Sequence, residues 1–316
     1  MTKTVFIDGA AGTTGLEIRE RLSARADLIV VQLADAERKD VGARSRALNE
    51  ADIVILCLPD DAAREAVGLI RNPDVRVIDA STAHRVAADW VYGFAEFEPG
   101  NYEAIAVAKR LSNPGCYATG FLSLVRPLIL AGLIPADAPL TVNAVSGYSG
   151  GGKSMIEEFE KTGSANFVET VVRTYGLTLS HKHVPEMRER AGLKHAPVFA
   201  PSVGRFYRGM IVEVPLQLWS LPGAPSVAHV REILSRAYRG RPLVKVAAPE
   251  ETTALKTLDA EMLKNTDRLK IFVFGSETSK QVRLVAVFDN LGKGAAGAAV
   301  QNLNIMLGLP ETTGLA

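Results

Sequence analysis

Thr4-Val5-Phe6-Ile7-Asp8-Gly9-Ala10-Ala11-Gly12-Thr13-Thr14-Gly15-Leu16 decides the fold of this chain. Residues 4–8 are β-rich, three glycines follow at once, and Leu16, Ile18 and Leu22 then recur at helical spacing. A strand that runs through a glycine turn into a helix presents a helix N-terminus to an anion, the arrangement by which parallel sheets hold the pyrophosphate of a dinucleotide. The spacing is G-x-x-G-x-x-G instead of the commoner G-x-G-x-x-G, with the same mechanics. Three glycines alone could make an ordinary turn. Their place between the first strand and the first helix points to dinucleotide binding, with Gly9, Gly12, Thr13, Thr14 and Gly15 as candidate contacts.

The alternation continues outward from this stretch. Apolar runs at 28–33, 53–58 and 75–79 read as strands, and 62–70 reads as a helix, which predicts a parallel sheet of the doubly wound type. Cys57 lies inside the second run and reads as core. Asp35, at the end of the second strand, could hold an NAD ribose. Arg38 and Lys39 follow directly and could hold the 2′-phosphate of NADP, or lie in a solvated turn, so the residues themselves leave the cofactor choice open.

Cys116 has a different setting. In Asn113-Pro114-Gly115-Cys116-Tyr117-Ala118-Thr119 it falls where the helical run 117–131 begins after a Pro-Gly turn. A helix start favours an anion and offers backbone donors to a developing oxyanion, so the thiol reads as a nucleophile, against the alternative of a packed small hydrophobe. Acid/base chemistry would come from Ser180-His181-Lys182-His183-Val184-Pro185-Glu186, where Pro185 suits a first helical turn and Glu186, three residues after His183, can orient its ring. That spacing would also allow a metal. No cysteine or acid cluster accompanies it, so no metal is expected. His84, His195 and His229 read as surface or loop residues.

Composition narrows the partners. With 36 basic and 35 acidic residues the net charge is +1, which argues against a general nucleic-acid surface, so any anion must be met locally. No apolar run approaches the ~20 residues of a membrane helix, and residues 1–7 begin a strand and not a targeting segment. Two cysteines in such unlike contexts make no disulfide framework, which fits a reducing, cytoplasmic location.

Together these motifs resemble the N-acetyl-γ-glutamyl-phosphate reductases, of the shorter type, in the superfamily that also holds aspartate-semialdehyde dehydrogenase. The resemblance covers nearly the whole chain. It is carried by residues 9–15, by 113–117, by Ser146-Gly147-Tyr148-Ser149-Gly150-Gly151-Gly152-Lys153, by His181 to Glu186, and by Asp289-Asn290-Leu291-Gly292-Lys293-Gly294-Ala295-Ala296-Gly297. Cys-Tyr-Ala-Thr is the most specific of them.

The resemblance implies NADPH as cofactor and an N-acylated γ-glutamyl phosphate as substrate, reduced to the semialdehyde with release of phosphate in arginine biosynthesis. It implies Cys116 as nucleophile and His183 as acid/base, with Glu186 supporting and His181 nearby; the order of the two histidines stays open. Asn290 and Gly294 would border the nicotinamide, although the bare spacing shows only a Gly/Ala-rich helix start. Asp35 fits NAD better. For the phosphate, Arg85 in the loop after strand 75–79 is the first candidate, and Lys153 the second, with Ser149 in the same glycine loop.

The expected architecture is α/β: an N-terminal Rossmann-type parallel sheet domain (1–115 and 290–316) plus an α+β catalytic and oligomerisation domain (116–289). The second is expected to hold strands at 140–145, 210–218, 269–274 and 282–288 in a mixed, mostly antiparallel sheet, with a helix at 227–238 and helices on one side. The last helix, 295–307, is expected to return to the nucleotide domain, and the resemblance implies a homotetramer. The rivals are the same chemistry on aspartyl phosphate or a carrier-linked aminoadipyl phosphate, and a non-catalytic nicotinamide-binding relative.

Overall fold

The apolar runs of the first third of the chain become short strands that all pair in parallel. β1 (Lys3–Asp8), β2 (Leu28–Val31), β3 (Ile53–Leu56), β4 (Arg76–Asp79), β5 (Val91–Tyr92) and β6 (Arg110–Ser112) form one sheet in the order β2-β1-β3-β4-β6-β5. Helices α1 (Thr13–Ser23), α2 (Val41–Glu50), α3 (Asp60–Leu69) and α4 (Asn101–Val107) supply the crossovers. The computed structural model describes residues 2–316, and the chain divides into two compact units. The first runs to Ala95 and adds Gly100–Gly115 and Ala295–Leu315; the second comprises Glu96–Pro99, Cys116–Gly294 and Ala316.

Strand periodicity explains why the sheet segments are apolar throughout. Val5, Ile7, Ile53 and Ile55 pack into one cluster with Ile18 and Leu22 of α1, whereas Phe6, Val54 and Leu56 join a second cluster with Leu48, Ala63 and Val77. Each such buried Ile or Leu contributes about 1.5–3 kcal/mol relative to exposure. The strands at 28–33 and 53–58 stop at Val31 and Leu56, so Cys57 lies just past β3, half-buried. Helix α2 was not expected. Its apolar face is thin, Ala43 and Leu48, because Arg44 is buried there to pair with Asp8 at 2.9 Å.

The second unit is built around α5 (Cys116–Leu130), which packs against strands and helices on several sides and is accordingly apolar on nearly every face. Strands β7 (Thr141–Gly147), β8 (Val172–Thr174), β9 (Val198–Gly204), β10 (Met210–Gln217), β11 (Val244–Val246), β12 (Leu269–Ser276) and β13 (Gln281–Phe288) form a sheet ordered β11-β12-β13-β10-β7-β9-β8. The β11–β12 and β7–β9 pairs are parallel and the other four antiparallel. The mixed, mostly antiparallel sheet is as expected. Strands β8, β9 and β11 escaped the sequence reading, being only three residues long or, in β9, carrying Pro201 and Ser202.

The helices of this unit are α6 (Gly152–Glu160), α7 (Val184–Ala191), α8 (Val227–Ala237) and α9 (Pro249–Ala254). Helices alone do not cover the sheet, since Leu255 and Leu258 pack with Phe272, Phe274, Val285 and Val287. The chain ends in α10 (Gly297–Met306), whose Ala299, Val300 and Leu303 complete the α1 side of the first unit's core. Among the described residues no helix is long and apolar enough to cross a membrane.

Candidate active site

The glycine turn separates glycines that the fold requires from one that it does not. Gly9 has φ +86°, and a Cβ there would lie 2.3 Å from the Cys57 carbonyl oxygen; at Gly15 it would lie 2.5 Å from the Gly9 carbonyl oxygen. Gly12 has φ −77°, and its Cβ would meet nothing nearer than 3.6 Å, so the backbone would accept alanine. The missing side chain at Gly12 leaves the start of α1 open to approach. No side chain caps α1, and the buried Thr13 hydroxyl finds no hydrogen-bond partner among the described residues. Free first-turn N–H groups, an uncommitted hydroxyl and a bare approach fit a pyrophosphate. Thr14 follows in the same turn. Arg38 pairs with Asp35 at 3.3 Å on an exposed loop with Lys39, where either base could turn to a 2′-phosphate.

Cys57 forms the floor of this turn. Its N–H donates to the Asp8 carbonyl at 2.8 Å, and burial, reinforced by the carboxylates of Asp79 and Asp8, pushes its thiol up to about 12. Burial also raises Asp8, against the lowering influence of Arg44.

His84 lies in the loop after β4 and is partly buried: its Nδ1 lies 2.6 Å from Oδ2 of the buried Asp79, and its ring stacks on Trp90 at 4.0 Å. Arg85, next to it, is buried. Its Nε donates to the Asn113 carbonyl at 3.1 Å and its Nη2 to the Ala80 carbonyl at 3.2 Å. Asn113 is further held through its N–H to Asp79 O (2.7 Å), its Nδ2 to Ala295 O (3.0 Å), and its Oδ1, which accepts from Asn302 (3.0 Å). The sequence reading quoted Asn113 without giving it this anchoring role.

In the second unit the residue after the cysteine meets both histidines through its aromatic ring. Cys116 is the first residue of α5. The ring of Tyr117, next in the chain, lies 5.8 Å from His181, 5.7 Å from His183 and 5.1 Å from Phe199. His183 is buried and occupies the N-cap of α7; Pro185 falls in the first turn, as expected, and Glu186 is buried there. His181 Nδ1 accepts from the His183 N–H at 3.1 Å. In that bond Nδ1 is the acceptor, which leaves Nε2 as the ring nitrogen open to a donor role.

Two further predicted residues, Asn290 and Ser149, meet in this unit. Asn290, buried, donates to the Ser149 hydroxyl at 2.9 Å and accepts from Gly209 N–H at 2.8 Å. At Gly294 a Cβ would stand 2.9 Å from the Cys116 Cβ, so the glycine is needed for close approach. Lys153, by contrast, is exposed at the start of α6. Sequence reasoning missed two supports of this turn. Asp289 accepts from Asn265, Leu291 and Gly292 N–H groups and pairs with Arg208 at 2.6 Å, while Lys293 makes a fully buried ion pair with Glu96 at 2.7 Å. Glu96 is almost 200 residues away in sequence, so only the fold reveals it.

Comparison with known proteins agrees in both units. Residues 4–105 match the family described as semialdehyde dehydrogenase, NAD binding domain, and residues 116–290 match semialdehyde dehydrogenase, dimerisation domain. The chain is 53% identical to N-acetyl-gamma-glutamyl-phosphate reductase of Brucella ovis, covering 98% of this chain and 100% of that protein. It is 50% identical to N-acetyl-gamma-glutamyl-phosphate reductase 2 of Nostoc sp., covering 98% of each. Among solved structures, aspartate semialdehyde dehydrogenase II of Vibrio cholerae complexed with ASA superposes with a TM-score of 0.72 at 16% identity, over 97% of this chain and 98% of that one. Aspartate semialdehyde dehydrogenase with NADP from Candida albicans gives 0.64 at 14% identity, over 97% and 99%. At such identities the structural likeness speaks for the fold alone.

Proposed function

The chain belongs to the N-acetyl-γ-glutamyl-phosphate reductase family of semialdehyde dehydrogenases, and from that premise we propose that it reduces N-acetyl-γ-glutamyl phosphate to N-acetylglutamate semialdehyde and phosphate, with NADPH, through a thioester on Cys116. The step belongs to arginine biosynthesis. One observation carries the reading: the cysteine stands at a helix start, and the ring of the next residue, Tyr117, packs against two histidines.

The unit with the glycine turn carries the dinucleotide, held by Gly9, Gly12, Thr13, Thr14 and Gly15 at the pyrophosphate and by Arg38 and Lys39 at the 2′-phosphate. We assign Asn290 and Gly294 to the nicotinamide end. The other unit carries the nucleophile. The Cys116 thiolate attacks the acyl carbon; as the S–C bond forms, the C–O bond to phosphate breaks and the phosphate departs with the electron pair. NADPH, when bound, supplies the hydride that takes the thioester carbon to the aldehyde level. Backbone N–H groups at the first turn of α5 hold the oxyanion of each tetrahedral adduct. Collapse of the second adduct breaks the C–S bond and returns the electron pair to Cys116, and His183, steadied by Glu186, manages the proton. His181, its Nδ1 accepting from the His183 N–H, donates from Nε2 and serves binding. Arg85 and Lys153, with Ser149, are the groups assigned to the substrate phosphate, Arg85 from a position that also braces Asn113.

A homotetramer in the cytoplasm completes the proposal, supported by the dimerisation-domain match and by chemistry that needs a free thiol. The test is phosphate-dependent NADP reduction with N-acetylglutamate semialdehyde beside aspartate semialdehyde. Faster turnover of aspartate semialdehyde would move the chain to another acyl phosphate. Mass spectrometry of protein mixed with the acyl phosphate alone should show the acyl group on Cys116, and its absence would remove the thioester.

A further inference from the structure

Tyr117 does more than fill space behind the nucleophile. Its side chain is almost fully buried in the first turn of α5, and its ring touches His181 edge-on (83°), His183 at a tilt (58°) and Phe199 (65°). The two imidazoles also meet each other at 4.8 Å and 84°, and His181 packs on Phe199 at 5.2 Å and on Tyr175 at 5.8 Å. Edge-to-face contacts of this kind are directional, so a ring held by several neighbours cannot rotate alone. The phenol is tied down too. Tyr175 donates to the Tyr117 oxygen at 3.0 Å, and Tyr117 points its own hydroxyl at the Ser202 carbonyl, 3.5 Å away. Burial holds both phenols above their ordinary range, Tyr175 at about 12, so they remain protonated donors at neutral pH.

The geometry points to Tyr117 as a positioning residue that sets both His181 and His183 relative to Cys116, its neighbour in the chain. The inference rests on the reading of Cys116 as nucleophile and His183 as acid/base. The ring does the positioning, and the Tyr175–Tyr117–Ser202 chain of oxygens fixes the angle of the ring. Rotation of α5 or of the segment carrying the histidines is thereby transmitted to the other, which keeps the proton-handling groups in register with the helix that opens on the thiol. Because a misplacement of about 1 Å can cost ~10²-fold in rate, such a coupling belongs to catalysis and not only to stability.

The test compares Tyr117→Phe, which keeps the ring, with Tyr117→Leu, which removes it, in the full-length enzyme. Expected for Tyr117→Leu is a kcat lower by ~10-fold or more through the displaced His183, with a rise in the acyl-phosphate KM through the displaced His181. Tyr117→Phe should restore kcat to within a few-fold. A second readout needs no substrate. With five histidines in the chain, selectively labelled protein gives an imidazole NMR spectrum assignable by His→Asn variants. Tyr117→Leu should shift the ring signals and titration midpoints of His181 and His183 and leave those of His84, His195 and His229 in place. Should Tyr117→Leu fail to fold, Tyr117→Met, flexible and non-aromatic, asks the same question. Wild-type kcat and unmoved histidine titrations in the folded variant would overturn the proposal. Equal damage from Tyr117→Phe and Tyr117→Leu would overturn it as well, by giving the role to the hydroxyl. If the wild-type protein turned over no acyl phosphate, the functional reading would fail, while the NMR comparison would still decide whether Tyr117 orients the histidines.

Discussion

Cys57 and Cys116 are both half-buried, yet their surroundings differ in kind. Cys57 lies under the glycine turn. Its carbonyl is the surface against which Gly9 packs, its thiol faces two carboxylates, and burial drives it up to about 12. Cys116 opens a helix, with aromatic rings and two imidazoles packed around the next residue. Exposure does not tell these thiols apart; the charge and direction of their neighbours do. Carboxylates around a thiol keep its proton on, whereas a helix start and movable protons make it usable.

The most severe test of that contrast exchanges each sulfur for oxygen. Cys116→Ser should lower reductase turnover by ~10³-fold or more while NADPH binding stays near wild type, because a serine hydroxyl is a much weaker nucleophile at neutral pH. Cys57→Ser should leave kcat within a few-fold of wild type. If the two variants lose activity equally, the distinction between floor and nucleophile is gone.

The next test asks whether the imidazoles are what make the Cys116 region chemical. His183→Asn cannot titrate, so kcat should fall by ~10²-fold and the pH dependence of the remainder should flatten. Glu186→Gln should cost less, since an amide can still hydrogen-bond a ring. His181→Asn should act mainly on KM, as its Nδ1 is already committed to the His183 N–H. A larger kcat loss for His181→Asn would reverse the two roles.

What could be read without coordinates follows the same division. The glycine turn, the parallel sheet and the start of α5 are local or periodic features, and sequence carries them. The cysteine and histidine motifs were also visible, but their meeting at Tyr117 is a tertiary fact. Helix α2 escaped because Arg44, a charged residue, occupies its buried face to pair with Asp8, which erases the amphipathic pattern. The Lys293–Glu96 pair joins residues that no spacing rule connects. Polar groups inside a fold are stabilised by partners, and partners are what a linear pattern leaves out.

A gentler test divides the glycine turn itself. Gly12→Ala meets no clash and needs no positive φ, so thermal stability should hold while NADPH affinity drops by ~10-fold, the Cβ standing where the pyrophosphate approaches. Gly9→Ala should instead lower the melting temperature, since its Cβ would be forced onto the Cys57 carbonyl. Loss of stability in Gly12→Ala with unchanged affinity would assign all three glycines to the fold. Replacing both Arg38 and Lys39 by alanine should then weaken NADPH several-fold more than NADH, because only NADPH carries the extra phosphate. Equal losses for the two cofactors would mark both bases as ordinary surface residues.

The smallest effect returns to Cys57. Its thiol is raised from an ordinary 9.0 to about 12 in the folded protein, so between those values the unfolded chain has released a proton that the folded chain retains. Unfolding then releases a proton, and stability must fall as pH rises, by at most ~1.4 kcal/mol per pH unit from this group. The contribution is fully present below about 9 and lost on the way to 12. Cys57→Ser removes this titration, so urea denaturation at a series of pH values from neutrality to about 10.5 should show the wild type losing stability faster than the variant above 9. The buried phenols of Tyr117, Tyr175 and Tyr238 also titrate high, but they do so in both proteins, and the difference between the curves isolates Cys57. Parallel curves would mean that Cys57 ionises like a free thiol. Native Cys57 would then be open to alkylation at mildly alkaline pH, and the carboxylates beneath the glycine turn would not be what separates it from Cys116.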